Sequence, residues 1–343
     1  MRAFAVDGPG MTGAPKLAAA LIVRDEEAVL GRCLESLRGV VDDIYVHDTG
    51  STDRTVDIAT GYGAHVSEGP WTHDFAAARN AVLDRVDPGT GWVLSVDADE
   101  EAVADARRLR RALAGSRADL LAVSIENVGP STFVHQAPRL FRRARCRWTA
   151  PVHEQIVARD GGLVRFEGLP TGALMLRHSG YADAAKVAVK NERNVRIAQA
   201  TVEGLAAQGG AADPGVVART LLDLGRACLA ADRGQEAVDA FEMVRELFPG
   251  TVEWARATDA LARQLINANM PDVVLVLAGE LRGAGFSPSY CDWLMAHAML
   301  RLGDRDAARR LAENITELVN VEGTRLDPSA LADLRRVVGA RAA

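Results

Sequence analysis

Asp97 and Asp99 flank a single alanine directly after the apolar run 91–96. Two carboxylates at the exit of a buried strand present hard oxygen ligands to a shared space, where Mg2+ or Mn2+ would bridge to a substrate diphosphate. The competing reading is an acidic turn in which Glu100 and Glu101 cap the next helix. A second cluster, Asp48-Thr49-Gly50-Ser51-Thr52-Asp53, also follows an apolar run. Asp48 there can accept hydrogen bonds from a nucleobase N–H, a task suited to uracil or guanine. Ser51 to Asp53 read as a helix-capping turn more readily than Asp48 does. A third acidic cluster, Arg24-Asp25-Glu26-Glu27, closes the run 17–23.

These clusters need elements that carry them to one edge. Leu17 to Val23 has strand length, and Val29, Leu30, Cys33, Leu34 and Leu37 recur at helical spacing within 27–38. Residues 44–47 and 91–96 read as further buried strands, with helices after Asp53 and over 75–86. Strands alternating with helices predict an α/β fold with a mostly parallel central sheet covered on both faces, which binds ligands beyond the carboxyl ends of its strands. The three acidic clusters stand at those ends. Farther along, Arg139, Arg142, Arg143, Arg145 and Arg147 alternate with other residues and read as a strand with one cationic face, Phe141 and Trp148 beside it, suited to a diphosphate or an acidic acceptor.

From about Ala182 the pattern is helical, broken at Gly209-Gly210, Asp213-Pro214, Pro249-Gly250, Pro271 and Gly303. Leu224, Gly225, Ala237, Phe241 and Pro249 fill the small, aromatic and helix-ending slots of a tetratricopeptide helix pair, whose period is about 34 residues. A second copy aligns at Ala296, Ala308 and Ala312, with a more degenerate one before it. An unrelated helical bundle is the alternative. Stacked pairs would supply an acceptor surface or a homodimer contact. Lys186 and Lys190, on the first linking helix, would close over donor phosphate or pack the domain junction.

Composition bounds the rest. A chain of 343 residues suits two cores, with 48% hydrophobic and 25% charged residues as in soluble globular proteins. The net charge of −6 argues against a nucleic-acid partner. Four separated cysteines indicate neither a zinc knuckle nor a disulfide framework, and the N-terminus carries no secretory h-region, so a cytoplasmic setting is expected. Every long apolar run is broken by charge, so no integral membrane segment is expected.

Four ordered motifs carry a family resemblance: Leu21-Ile22-Val23-Arg24-Asp25-Glu26-Glu27, the DTGSTDRT run from Asp48, Asp74-Phe75-Ala76-Ala77-Ala78-Arg79-Asn80, and Val96-Asp97-Ala98-Asp99-Glu100. Together with Pro138-Arg139-Leu140-Phe141-Arg142, Pro151-Val152-His153-Glu154 and Arg177-His178-Ser179-Gly180-Tyr181, the chain resembles a family 2 glycosyltransferase of GT-A fold. The layout is similar to bacterial enzymes that join this domain to tetratricopeptide repeats, the group including sublancin-type peptide S-glycosyltransferases. With the Gly-, Pro- and small-residue N-terminus read as a leader over 1–16, the expected division is a GT-A domain over 17–181 and a linking helix with a tetratricopeptide-like domain over 182–343.

The resemblance implies an inverting, metal-dependent transferase of hexosyl or N-acetylhexosaminyl type, moving a sugar from a nucleoside-diphosphate sugar to a peptide or small-molecule hydroxyl or thiol. UDP is the first choice, with GDP or dTDP as alternatives. Donor contacts would come from Val23, Glu26, Asp48, Arg79, Asp97, Ala98 and Asp99, with Asp48 on the base and Glu26 on base or ribose. Asp99, Asp97 and His178 would hold Mg2+ or Mn2+. Glu154 would be the base, oriented by His153. Arg139, Trp148 and Lys190 are acceptor or phosphate candidates. Two other classes compete: a sugar-1-phosphate nucleotidyltransferase, which lacks its Gly-rich phosphate loop here, and a noncatalytic repeat adaptor, which would be expected to lose the acidic site.

Overall fold

The computed structural model describes residues 15–128, 132–178 and 184–339, in two compact units, Met1–Lys190 and Asn191–Ala343. Residues 1–14 of the expected leader, Ser179-Gly180-Tyr181, and the side chain of Lys186 lie outside the described part.

The first unit runs β1 (Leu17–Val23), α1 (Leu30–Ser36), β2 (Asp43–Asp48), α2 (Thr55–Gly61), β3 (His65–Glu68), α3 (Phe75–Arg85), β4 (Trp92–Ser95), β5 (Glu100–Ala104), α4 (Ala106–Gly115), β6 (Leu120–Asn127), β7 (Phe133–Arg142), β8 (Cys146–Thr149), β9 (Gln155–Ala158), β10 (Phe166–Gly168) and β11 (Leu174–His178). The main sheet has the order β3-β2-β1-β4-β7-β6-β11-β5, with β10 also on β6. β1 pairs parallel with β2 and β4, whereas β7 is antiparallel to both β4 and β6. The period of two is visible along β1. Leu17, Ala19, Leu21 and Val23 enter the core under α1 and α4, and Ala18 and Ala20 enter the core under α3. Burial on both faces is why this strand reads as one continuous apolar run.

Three expectations change here. The first helix begins at Leu30 rather than Glu27, because residues 25–27 are tied to the neighbouring loop through their backbone N–H groups. Glu100 and Glu101 do not cap a helix. They open β5, and Asp105 caps α4 by accepting from Arg108 N at 2.9 Å. Nor do the arginines of 139–147 share a cationic face, because β7 ends at Arg142 and a turn separates it from β8. Arg142 stacks 4.2 Å from the Trp92 ring and donates to the Ser116 carbonyl, Arg143 donates to the Val86 carbonyl, and Arg145 pairs with Asp160.

After α5 (Ala184–Gln208), the second unit is built from helix pairs: α6 (Pro214–Ala230) with α7 (Gly234–Leu247), α8 (Val252–Asn267) with α9 (Pro271–Gly283), and α10 (Pro288–Arg301) with α11 (Arg305–Glu313), before a final α12 (Pro328–Gly339). Asp213, Thr251, Ser287 and Asp304 cap their helices through side-chain oxygens. Gly225 packs so closely on Phe241 that a Cβ there would lie 2.4 Å from the ring, so the small and aromatic slots are one contact. Ala237, Phe241, Ala296, Ala308 and Ala312 are all buried, as the repeat slots require.

Candidate active site

The carboxyl ends of β1 and β2 are stitched together by side chains. Asp25, at φ 52°, donates from its backbone N–H to Ser51 Oγ at 2.9 Å, and its Oδ1 accepts from Thr52 N at 2.7 Å. Glu26 N donates to Thr55 Oγ1 at 2.7 Å, and Glu27 N donates to Asp53 Oδ2 at 3.1 Å. Val23 is buried, and its carbonyl accepts from Thr49 N and Oγ1. Asp48 is held by its own turn. It is 2% exposed, its Oδ2 accepts from Gly50 N and Ser51 N at 2.9 Å, and its Oδ1 accepts from Ser51 Oγ. Asp48 therefore holds the turn itself, and the nucleobase contact expected of it would have to compete with these donors.

At the end of β4 five charged groups form one chain. Arg79, on α3, donates from Nε to Glu154 Oε1 at 2.7 Å, from Nη1 to Ser95 Oγ at 2.9 Å and from Nη2 to Asp97 Oδ1 at 2.9 Å. Arg139, on β7, donates from Nη2 to Asp97 Oδ2 and Glu100 Oε1, both at 2.9 Å. Each arginine thus joins two carboxylates, and Asp97 commits both its oxygens. Burial would raise the Asp97 pKa, but Arg139 and Arg79 hold it well below the usual carboxylate range. Glu100, 2% exposed, is pushed up to about 7 by burial and by Asp97, against the pull of Arg139. The Arg79 guanidinium also lies 4.9 Å over the Trp148 ring. Trp148 is 5% exposed and, through its backbone, exchanges two 3.0 Å hydrogen bonds with the Asn80 amide. It forms a wall behind Arg79.

Asp99 points elsewhere. Its Oδ2 lies 3.0 Å from His178 Nε2, while His178 Nδ1 lies 3.0 Å from Asn127 Oδ1. Asn127 Nδ2 in turn lies 3.0 Å from His135 Nδ1. An amide oxygen can only accept, so His178 Nδ1 carries a proton and the ring is oriented for Nε2 to face Asp99. The hydrogen bond to Asp99 raises the His178 pKa, whereas burial lowers that of His135. The sequence grouped Asp97, Asp99 and His178 around one cation. Among the described residues no three His, Cys, Asp or Glu side chains gather in that way, because the arginines claim Asp97. The Asp99–His178 pair fits Mg2+ or Mn2+ as two ligands of hard oxygen and imidazole nitrogen, with Asn127 supplying the outer hydrogen bond usual for a ligating histidine.

Glu154 follows a strained segment. Ala150 and His153 sit at φ 73° and 52°, and Phe75 N donates to the Pro151 carbonyl at 2.9 Å, which ties the segment to the start of α3. Left-handed backbone at two non-glycine residues beside a candidate base is a cost that functional sites tolerate. Arg139 is locked in the charge chain, Ala98 is buried, and Lys190 is exposed on α5, where its charge opposes protonation of His178. Sequence reading missed Ser95, Glu100, Asn127 and His135 as members of the site. Glu100 was legible only as an acidic neighbour of the D-x-D pair, and Asn127 stands at the end of a strand that sequence patterning had not delimited. Cys33 donates from Sγ to the Asp97 carbonyl at 3.5 Å, and burial raises its thiol pKa, so it packs beneath the loop.

Comparison with known proteins identifies the family of the first unit. The sequence profile of "Glycosyl transferase family 2" matches residues 19–178. A TPR repeat-containing protein of Synechococcus elongatus is 38% identical over 178 residues, 47% of this chain and 41% of that protein, so the chain spans less than half of that relative. The lipopolysaccharide core biosynthesis glycosyltransferase LpsC of Rhizobium meliloti is 30% identical over 196 residues, 48% of this chain and 68% of that protein. The SPbeta prophage-derived glycosyltransferase SunS of Bacillus subtilis is 30% identical over 96 residues, 27% of this chain and 22% of that protein. No described helix is long and apolar enough to cross a membrane. With its mostly parallel α/β sheet of GT-A type followed by helical repeats, the chain belongs to glycosyl transferase family 2.

Proposed function

We propose that this chain is an inverting glycosyltransferase that moves a hexosyl or N-acetylhexosaminyl group from a nucleoside-diphosphate sugar, UDP first among the candidates, to a hydroxyl or thiol of a peptide or small molecule. The observation that carries the reading is the separation of duties at the end of β4. Asp97 is bound by two arginines, Asp99 faces His178, and Arg79 reaches from Asp97 to Glu154. Asp99 and His178 would hold a divalent cation, which when bound offsets charge on the departing diphosphate. Glu26 and the turn set by Asp48 would flank the nucleoside. Arg79 fixes Glu154 through Oε1, and the strained backbone at His153 sets the direction from which the carboxylate meets the acceptor.

Glu154 takes the proton from the acceptor hydroxyl or thiol. The resulting nucleophile attacks the anomeric carbon from the face opposite the leaving group, and the bond from that carbon to the diphosphate oxygen breaks with its electron pair leaving on the nucleotide. One displacement inverts the configuration and needs no nucleophile from the protein. The test is a panel of UDP, GDP and dTDP sugars with Mn2+ or Mg2+, scored by thermal shift and by release of the nucleoside diphosphate. Glu154→Gln should retain donor binding and lower turnover by about two to four powers of ten. A protein that binds no member of the panel, or a Glu154→Gln variant with unchanged turnover, contradicts the proposal.

A further inference from the structure

Asp99 and His178 end a longer row of polar side chains. His135 of β7, Asn127 of β6, His178 of β11 and Asp99 just before β5 follow one another across the main sheet, where β7, β6, β11 and β5 are consecutive. The register sets the row. His178 stands opposite Asn127, and His135 stands opposite Ile125, two residues back along β6 and therefore on the same face as Asn127. Each step is 3.0 Å long: His135 Nδ1 to Asn127 Nδ2, Asn127 Oδ1 to His178 Nδ1, and His178 Nε2 to Asp99 Oδ2. Asn127 is 4% exposed, so its amide cannot trade these partners for bulk water.

An amide set between two imidazoles has two orientations, and each dictates the protons on both rings. With Oδ1 toward His178, that ring carries a proton on Nδ1, and His135 Nδ1 is bare to accept from Asn127 Nδ2. Turned over, Nδ2 would need a bare Nδ1 on His178, which leaves that ring's proton on Nε2, and His135 would have to donate from Nδ1. Only the first orientation opens His178 Nε2 to a metal, because a ligating nitrogen cannot keep its proton. A carboxylate only accepts, so Asp99 by itself favours a proton on Nε2. The group that holds the amide the other way is His135. Burial, Arg139 and His178 lower the His135 pKa, which keeps the ring neutral and its Nδ1 able to accept near neutrality.

We propose that His135 is a positioning residue for the cation site: by accepting from Asn127 Nδ2 it holds the amide oxygen on His178 Nδ1 and so keeps Nε2 as the ligating nitrogen beside Asp99. The inference rests on the reading of Asp99 and His178 as cation ligands. His135 acts through Asn127 and is not itself a ligand. Its position explains why an exposed histidine at the start of β7 is joined to a buried amide two strands from Asp99.

Isotope-labelled histidines in the full-length protein report these protons directly by nitrogen NMR. Wild type should show His135 bare at Nδ1 and His178 protonated at Nδ1. Mn2+ binding, followed by electron paramagnetic resonance alone and with UDP, GDP and dTDP, should weaken about three- to tenfold in His135→Phe, a step smaller than the loss of a direct outer partner of a ligand. In Asn127→Asp both oxygens accept, so no orientation is left to choose, and adding His135→Phe should weaken Mn2+ binding no further. A merely structural His135 would cost the same in both backgrounds, and that result overturns the proposal. So does a wild type with His135 protonated at Nδ1, or Mn2+ binding that His135→Phe leaves unchanged. A wild type that takes up no Mn2+ in any of these mixtures contradicts the cation reading itself, whatever pattern the two rings show, and takes this inference with it.

Discussion

The sheet edge of the first unit and the groove that Arg226 and Arg256 line in the second both set arginines against carboxylates, but they hold them in opposite ways. At the edge, Arg79 and Arg139 each span two acids, and every acid stands on or beside a strand. In the groove, Arg226 and Arg256 converge on one oxygen of Glu322, whose side chain is 41% exposed on a short turn. The first arrangement is preorganised, because losing one partner leaves a buried charge uncompensated. The second is partly exposed, and Arg226 and Arg256 keep Asp223 at 3.6 Å and Glu253 at 3.9 Å as further partners, so losing Glu322 leaves no buried charge alone. What each charge is mounted on therefore matters more than how many ion pairs it makes.

Breaking the edge should have the largest effect. Arg79→Ala strips partners from Asp97, Glu154 and Ser95 at once, and should cost about 3 kcal/mol in urea unfolding and reduce turnover about a hundredfold or more. The pH dependence of the second unit comes next. Asp223 has a folded pKa of about 7 against an ordinary 3.8, so the folded state binds the extra proton. Its contribution to stability is present below about pH 4 and is lost as pH rises through about 7. Arg226, Arg219 and Arg256 pull against this shift and Glu253 reinforces it. Melting curves of wild type and Asp223→Asn should accordingly diverge across that window, with wild type losing ground to the variant as pH rises.

Smaller changes sharpen the contrast. Ser95→Ala removes one neutral partner of Arg79 and should cost about 1 kcal/mol by urea unfolding, with the ion pairs to Asp97 and Glu154 still in place. Glu322→Gln should shift unfolding by no more than about 0.5 kcal/mol, because an exposed ion pair contributes little. A Glu322→Gln cost as large as that of Arg79→Ala would erase the distinction between the two regions.

The strands that carry chemistry were legible because burial on both faces leaves unbroken apolar runs at Leu17–Val23 and Trp92–Ser95, each ending in acids. The helical repeats were legible at Gly225 and Phe241, where contact demands one small and one aromatic residue. Partner choice was not. Nothing in the spacing of Asp97 and Asp99 separates the arginine-bound carboxylate from the one facing His178, since Arg79 and Arg139 arrive from elements 18 and 42 residues away. The turn-holding role of Asp48 was hidden for a related reason. Its donors are backbone N–H groups of the next turn, which residue types reveal only when the turn geometry is known. Glu322 is the most distant case, set beside Arg226 by a chain separation of 96 residues.

If a divalent cation meets the donor as proposed, Asp99 and not Asp97 is the aspartate that carries it. Binding of Mn2+ followed by electron paramagnetic resonance, in the presence of the nucleoside diphosphate that the donor panel selects, tests it directly. Asp99→Asn and His178→Asn should lose nucleotide-dependent Mn2+ binding while Asp97→Asn keeps it. Loss in Asp97→Asn with binding retained in Asp99→Asn would contradict it.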